Sequence, residues 1–100
     1  MRFIQKMKAS LKIENFLVEI NEREYYIHQN LFHKRINAEF AIFLYNSLLS
    51  EAEDGFAKFK KAYNFEDLGL EKIQQQYDAI INVIKKRKQE ISVNVQQSLK

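Results

Sequence analysis

The most constraining feature of this sequence is a set of apolar residues in its last third that recur at gaps of three and four. Such spacing keeps one face of an α-helix apolar. Only Arg87 interrupts the pattern, which therefore predicts a long amphipathic C-terminal helix whose apolar face needs cover. The residues of this C-terminal stripe are Leu70, Ile73, Tyr77, Ile80, Ile84, Ile91 and Val95.

The length of this helix bears on how the stripe is covered. A helix from Leu70 to about Val95 would be roughly 39 Å long at about 1.5 Å per residue. A globular chain of 100 residues has a radius of gyration of about 13 Å, hence a diameter of only about 33 Å. We expect either an elongated molecule or a helix that extends beyond the rest of the fold. Homodimerisation would cover the overhang, so the C-terminal stripe is the predicted self-association or partner interface.

The middle of the chain is predicted to supply the core. Apolar residues occupy nearly all faces of the segment 32–49, which is typical of a central, buried helix. The chain has no proline, so Gly55 and Gly69 are its strongest breaking signals. We expect Gly55 to end the central helix in a turn, and residues 56–63 to form a short separate helix.

The start of the C-terminal helix carries its own capping signals. Asn64 is expected to act as an N-cap, with Asp67 at the third position after it. Gly69 costs about 1 kcal/mol inside a helix, so the long helix is expected to begin at Leu70.

The N-terminal part of the chain supports two interpretations. Two apolar sets fall on opposite sides of a helical wheel, so a single helix would need cover on two faces or a break near Ser10. The alternative is a β-hairpin over about residues 13–28, favoured by its β-branched and aromatic residues. Asn21 and Glu24 fit a helix N-cap with its reciprocal partner, which favours helix. The two sets are Phe3, Ile4, Met7, Leu11 and Val18, and Ile13, Phe16 and Ile20.

These segments together predict an all-α fold. We expect a small helical bundle, or an elongated helical hairpin, with a long C-terminal helix. Residues 1–100 form a single helical domain in this interpretation, and dimerisation is one way to complete its core. An α+β fold with the N-terminal hairpin is the alternative.

The basic residues raise the question of nucleic-acid binding. The chain has 16 basic and 13 acidic residues, a net charge of +3 and a pI of about 9.1. Four consecutive residues of a helix spread over about 300° of its circumference, so a basic run there cannot all face one phosphate backbone. Nucleic-acid contact is therefore the alternative function. The candidate contacts are Lys58, Lys60, Lys61, Lys85, Lys86, Arg87 and Lys88.

Catalytic and metal-binding signatures are weak. There is no cysteine, and Glu24 with His28 offers only a two-ligand corner where a closed zinc site needs four ligands. Neither a phosphate-binding glycine-rich loop nor a nucleophile elbow occurs. Glu39 and Asp78 are the remaining candidate carboxylates on helices. We predict no enzymatic activity, no cofactor and no metal.

The leading functional hypothesis is a non-enzymatic helical protein–protein interaction module, of the adaptor, chaperone, immunity or inhibitor type, that forms a homodimer. The most apolar window, residues 40–49, is shorter than the roughly 20 residues that a membrane span needs. Lys12, Glu14 and Glu19 interrupt any signal-peptide-like segment at the start. We therefore expect a cytoplasmic protein that does not enter a membrane.

Overall fold

The computed structural model describes residues 2–98, and side chains for residues 2–95, and all regular structure in that range is helical. The all-α prediction is confirmed. The alternative β-hairpin is wrong, because residues 13–28 lie inside one continuous helix. The helices are α1 (Arg2–Phe32), α2 (Ala38–Ala62), α3 (Phe65–Leu68) and α4 (Glu71–Ser98).

The three long helices form an elongated bundle in which α2 runs antiparallel to both neighbours. Ile27, Ala41 and Ile84 meet in one core cluster, whereas Ala9, Phe56 and Leu70 belong to the other. Because Ala9 and Leu70 share one cluster while Ile27 and Ile84 share the other, α1 and α4 run parallel. The molecule measures 59 × 21 × 17 Å and has a radius of gyration of 16.2 Å. It is therefore elongated, which is one of the two shapes expected from the length of the last helix.

α1 is one uninterrupted helix, and there is no break at Ser10. Only one of its two apolar sets is covered: Ile13 and Ile20 are buried, whereas the set that includes Leu11 and Val18 is exposed. Asn21 and Glu24 lie within the helix, so the N-cap interpretation of this pair is wrong. The buried face consists of Ala9, Ile13, Leu17, Ile20, Glu24 and Ile27.

The end of α1 is closed by backbone hydrogen bonds of the Schellman type. The N–H of Lys34 donates to Leu31 O at 3.0 Å, and that of Arg35 donates to Asn30 O at 2.8 Å. Lys34 adopts φ of 59°, the left-handed conformation that this cap requires. The chain then reverses, and Asn37 caps α2 by accepting from the N–H of Phe40 at 2.8 Å.

α2 continues through Gly55 without a turn, which corrects two predictions. The glycine is needed for close helix packing: a Cβ on Gly55 would lie 2.5 Å from Cζ of Phe16 on α1. Residues 56–63 are consequently not a separate helix, because α2 extends to Ala62. The prediction that the central helix is buried on all sides is also wrong, since Phe40 and Phe43 are exposed.

The connection to α4 follows the predicted capping chemistry. Asn64 caps α3, and its side chain accepts from the N–H of Asp67 at 3.0 Å. Gly69 adopts φ of 64° and ends α3. α4 then begins at Glu71, one residue after the predicted start at Leu70.

Candidate interaction surface

The C-terminal stripe, predicted from the sequence as an interface, lies mostly inside the monomer. Leu70, Ile73 and Ile84 are at most 5% exposed and contact residues of α1 and α2. This corrects the expectation that their face is free to meet a partner, because α1 and α2 already cover it. The remaining members, Tyr77, Ile80, Ile91 and Val95, are partly buried.

The largest exposed apolar feature is a row along the outer face of α1. Its residues are spaced by seven, so they lie almost directly above one another on the helix. Each side chain is between 53% and 72% exposed. Over 28 residues the row extends for roughly 42 Å. We call it the α1 row; it consists of Ile4, Leu11, Val18, Tyr25 and Phe32.

Two hollows border the α1 row. One, of about 390 Å³, lies beside Leu11 and includes Phe3 and Met7 in its wall. The other, of about 550 Å³, lies between α1 and α4 and includes Val18 and Ile80. The row is thus a ridge with recesses on its flank, a shape into which the side chains of another helix can interdigitate.

The charges of α1 are divided along the helix. The first twelve residues carry four basic side chains and no acidic one, and the following turns carry three exposed carboxylates. Of the basic residues, Lys8 and Lys12 lie on the flank of the row, whereas Arg2 and Lys6 lie about half a turn away from it. The basic residues are Arg2, Lys6, Lys8 and Lys12, and the exposed acidic ones are Glu14, Glu19 and Glu22.

A polar cluster inside the bundle accounts for Arg87. Its guanidinium forms an ion pair with Glu24, which is only 6% exposed. Nη1 of Arg87 also lies 2.8 Å from Nδ1 of His28, so the guanidinium contacts the imidazole on α1. Arg87, which interrupts the C-terminal stripe, is therefore paired within the chain.

Tyr45 completes this cluster from α2. Its hydroxyl donates to Oε1 of Glu24 at 3.3 Å, and its side chain is fully buried. Burial raises the pKa of the Tyr45 phenol well above its ordinary value, and the negative charge of Glu24 adds to this rise while Arg87 opposes it. The hydroxyl therefore acts as a fixed donor that joins α2 to the α1–α4 ion pair.

An exposed ion pair also joins α1 to α2. Arg23 contacts Glu51, and both side chains are about half exposed. The hydrogen bond from Arg23 holds the pKa of the Glu51 carboxyl below its ordinary value, and the same bond raises the pKa of Arg23. Because the pair is exposed, we expect it to contribute little to stability.

The predicted nucleic-acid contacts are not brought together. Lys58, Lys60 and Lys61 lie near the start of α4, whereas Lys85 to Lys88 lie about 22 Å further along that helix. The first group instead adjoins basic residues of α1 that sequence reasoning did not include. A cavity of about 390 Å³ between α1 and the α2–α3 connection is lined by Arg2, Lys8 and Lys12.

The candidate catalytic and metal-binding residues do not assemble into a site. Glu39 is exposed, and Asp78 accepts a hydrogen bond at 3.0 Å from Gln74 on its own helix. Within the described part of the chain, no three His, Cys, Asp or Glu side chains are grouped so as to hold a metal ion. Glu24 and His28 do lie together, but Arg87 occupies the space between them.

The α1 row could have been found in the sequence. Its first three members belong to the apolar set that the helical wheel separates from Ile13, Phe16 and Ile20. Their spacing by seven continues to Tyr25 and Phe32. Periodicity shows that this face is apolar, but it does not show which of the two apolar faces α2 and α4 cover.

Comparisons with protein-family models, with curated protein sequences and with solved structures find no match for this chain. Across residues 2–98, none of the helices has a stretch both long and apolar enough to cross a lipid bilayer.

Proposed function

We propose that this protein is a non-enzymatic interaction module that binds a protein partner through the outer face of α1. The observation that carries the proposal is the α1 row, a line of exposed apolar side chains that the chain's own helices leave uncovered. Large apolar side chains grouped on one exposed face of a folded domain are typical of interaction sites. The surface differs from the one that the sequence indicated on α4.

The opposite face of α1 makes the surface suitable for binding. Ile13, Leu17 and Ile20 fix α1 against the bundle, so the row is held in place before a partner arrives. Binding then requires no ordering of the backbone, which removes a large entropic cost. Recognition of one helix by a groove or by another helix uses this type of spacing. The absence of cysteine accords with a reducing compartment, and we place this function in the cytoplasm.

Affinity capture from a native lysate tests this function. The bait variant Leu11→Lys/Val18→Lys places two charges in the middle of the row, and both sites are exposed enough to tolerate them. We expect the wild-type bait to retain a protein that this variant loses. An untagged copy of the same chain counts as such a protein. Phe43→Lys is the control, since Phe43 is an exposed apolar residue on α2 rather than on α1. Equal retention by all three baits contradicts the proposal.

Nucleic-acid binding is the second candidate, and a specific arrangement favours it. Lys60 and Lys61 line a hollow beside the cavity that contains Arg2, Lys8 and Lys12, so five cations from two helices lie at one end of the bundle. Gel-shift titrations with DNA and RNA at several salt concentrations test it. A steep loss of affinity with salt supports contact with phosphates, and an absence of binding at low salt eliminates it.

A further inference from the structure

We propose that the α1 row is occupied by the same row of a second copy, with the two α1 helices antiparallel and a two-fold axis beside Asn15. This inference rests on the proposed function, because it names the occupant of that surface. It identifies the partner as a second copy of this chain. The spacing of the row, the order of charges along α1 and the difference between the two ends of the row support this pairing.

The spacing allows two copies to match from Ile4 to Tyr25, and Phe32 extends beyond the start of the second helix. In an antiparallel arrangement centred between residues 14 and 15, Leu11 lies opposite Val18 of the second copy, and Ile4 lies opposite its Tyr25. The seven-residue period returns the same contact at each step. The aromatic end of one row then covers the aliphatic end of the other, including Met7, which is 56% exposed.

The charges favour the antiparallel orientation. Lys8 and Glu22 occupy equivalent positions four residues after Ile4 and Val18, and both are exposed. In this antiparallel register Lys8 is level with Asn21 of the second copy, one residue from Glu22 and on the same side of the row, so the dimer contains two Lys8–Glu22 pairs. In a parallel two-fold pair the two copies of a residue beside the row lie on opposite sides of the contact, so neither Lys8 nor Glu22 meets an opposite charge there.

Other residues near the axis fit this register less closely. Lys12 lies two residues from level with Glu19 of the second copy, and Glu19 also interacts with Arg23 of its own helix. Asn15 and Glu14 lie near their own copies at the axis, where the uncharged Asn15 avoids self-repulsion and the Glu14 carboxylates repel each other. The Lys8 end of each α1 faces the carboxylates in the middle of the other.

The expected dimer is weak. A coiled coil has two apolar residues in every seven, whereas this row has one. Met7 occupies the second apolar position once, and Glu14 and Asn21 occupy the same position in the next two heptads. We expect a dissociation constant on the order of 10–100 µM. The dimer should form reversibly in that range and leave the fold of each bundle unchanged.

Cysteine cross-linking tests the orientation, because the chain has no cysteine of its own. Lys8→Cys and Glu22→Cys are prepared separately, treated with a short bifunctional maleimide, and analysed for covalent dimers alone and as a mixture. The antiparallel arrangement predicts efficient cross-linking in the mixture and little in either variant alone. Cross-linking of each variant with itself, or none in the mixture, overturns the inference.

Charge reversal gives an independent test by sedimentation. Lys8→Glu should raise the dissociation constant of the dimer roughly tenfold at low salt. The double variant Lys8→Glu/Glu22→Lys should restore it, since the opposite charges are exchanged between the two sites. Failure of the double variant to recover overturns the inference. A monomeric wild type also overturns it, while capture of a different protein through the α1 row would leave the proposed function standing.

Discussion

The ring of Phe16 on α1 lies directly over the backbone of Gly55 on α2, where a Cβ would meet Cζ of the ring at 2.5 Å. The same ring contacts Phe59 edge-to-face, with the ring centroids 5.5 Å apart. One glycine therefore sets how closely two helices approach. The sequence predicts that Gly55 breaks the helix, but Gly55 instead allows close packing inside a helix of 25 residues.

Gly55→Ala should destabilise the protein in spite of alanine's higher helix propensity. Propensity favours alanine by about 1 kcal/mol, but the added methyl group must displace the Phe16 ring, at a cost of about 1–3 kcal/mol. Urea unfolding measures the balance. In a Phe16→Ala background the space is open, so the same substitution should be stabilising. Stabilisation by Gly55→Ala in the wild-type background would show that the contact is not tight.

Glu24→Gln should destabilise the bundle by about 1–3 kcal/mol, because it leaves Arg87 without its charged partner and weakens the bond from Tyr45. The Arg87 side chain is about one-third exposed, so water offsets part of the loss. Glu22→Gln, two residues away on the exposed face of α1, is the control and should change stability by less than about 0.5 kcal/mol. Equal effects in urea unfolding would contradict the importance of the buried pair.

Lys34→Gly should stabilise the protein by about 1 kcal/mol, because Lys34 holds the left-handed conformation at φ of 59°. Glycine adopts this conformation without strain. Lys34→Ala is the matched control: it also removes the charge but keeps the Cβ, so it should bring no comparable gain. If the alanine variant gains as much as the glycine variant, the effect comes from the lysine charge.

The stability of the protein should fall above pH 10. The pKa of Tyr45 is raised in the folded state from an ordinary value of 10.0, so the unfolded chain loses this proton first. Stability from this group is complete below pH 10 and declines as pH rises, by up to about 1.4 kcal/mol per pH unit.

Unfolding experiments between pH 9 and 11 measure this decline. Tyr45→Phe should flatten the dependence on pH, whereas Tyr26→Phe, on the exposed face of α1, should leave it unchanged. Burial also raises the pKa of Tyr77, so a smaller slope should persist in the Tyr45 variant. An identical slope in wild type and Tyr45→Phe would contradict the assignment.

The sequence predicted those features that depend on local chemistry. The amphipathic period of α4 and the Asn64 cap with Asp67 both follow from interactions within a few residues, and both are present. The break expected at Gly55 failed because its role depends on Phe16, which is 39 residues away in the sequence.

The candidate site shows the same division. Helical periodicity identifies two apolar faces on α1 and one on α4, but hydrophobicity alone does not show which of these faces is buried. Which face is covered depends on how α2 and α4 pack, and they cover the side with Ile13 and Ile20. The C-terminal stripe was therefore predicted as an interface although it lies in the core, and the α1 row was left outside the prediction.

Sedimentation equilibrium over a range of concentrations tests the account most directly. For wild type and for the Phe43→Lys control, the average mass should rise from 12.0 kDa toward twice that value as concentration approaches the hundred-micromolar range. Leu11→Lys should remain at the monomer mass throughout. A wild-type protein that stays at the monomer mass, or a Leu11→Lys variant that dimerises as the wild type does, would contradict association through the α1 row.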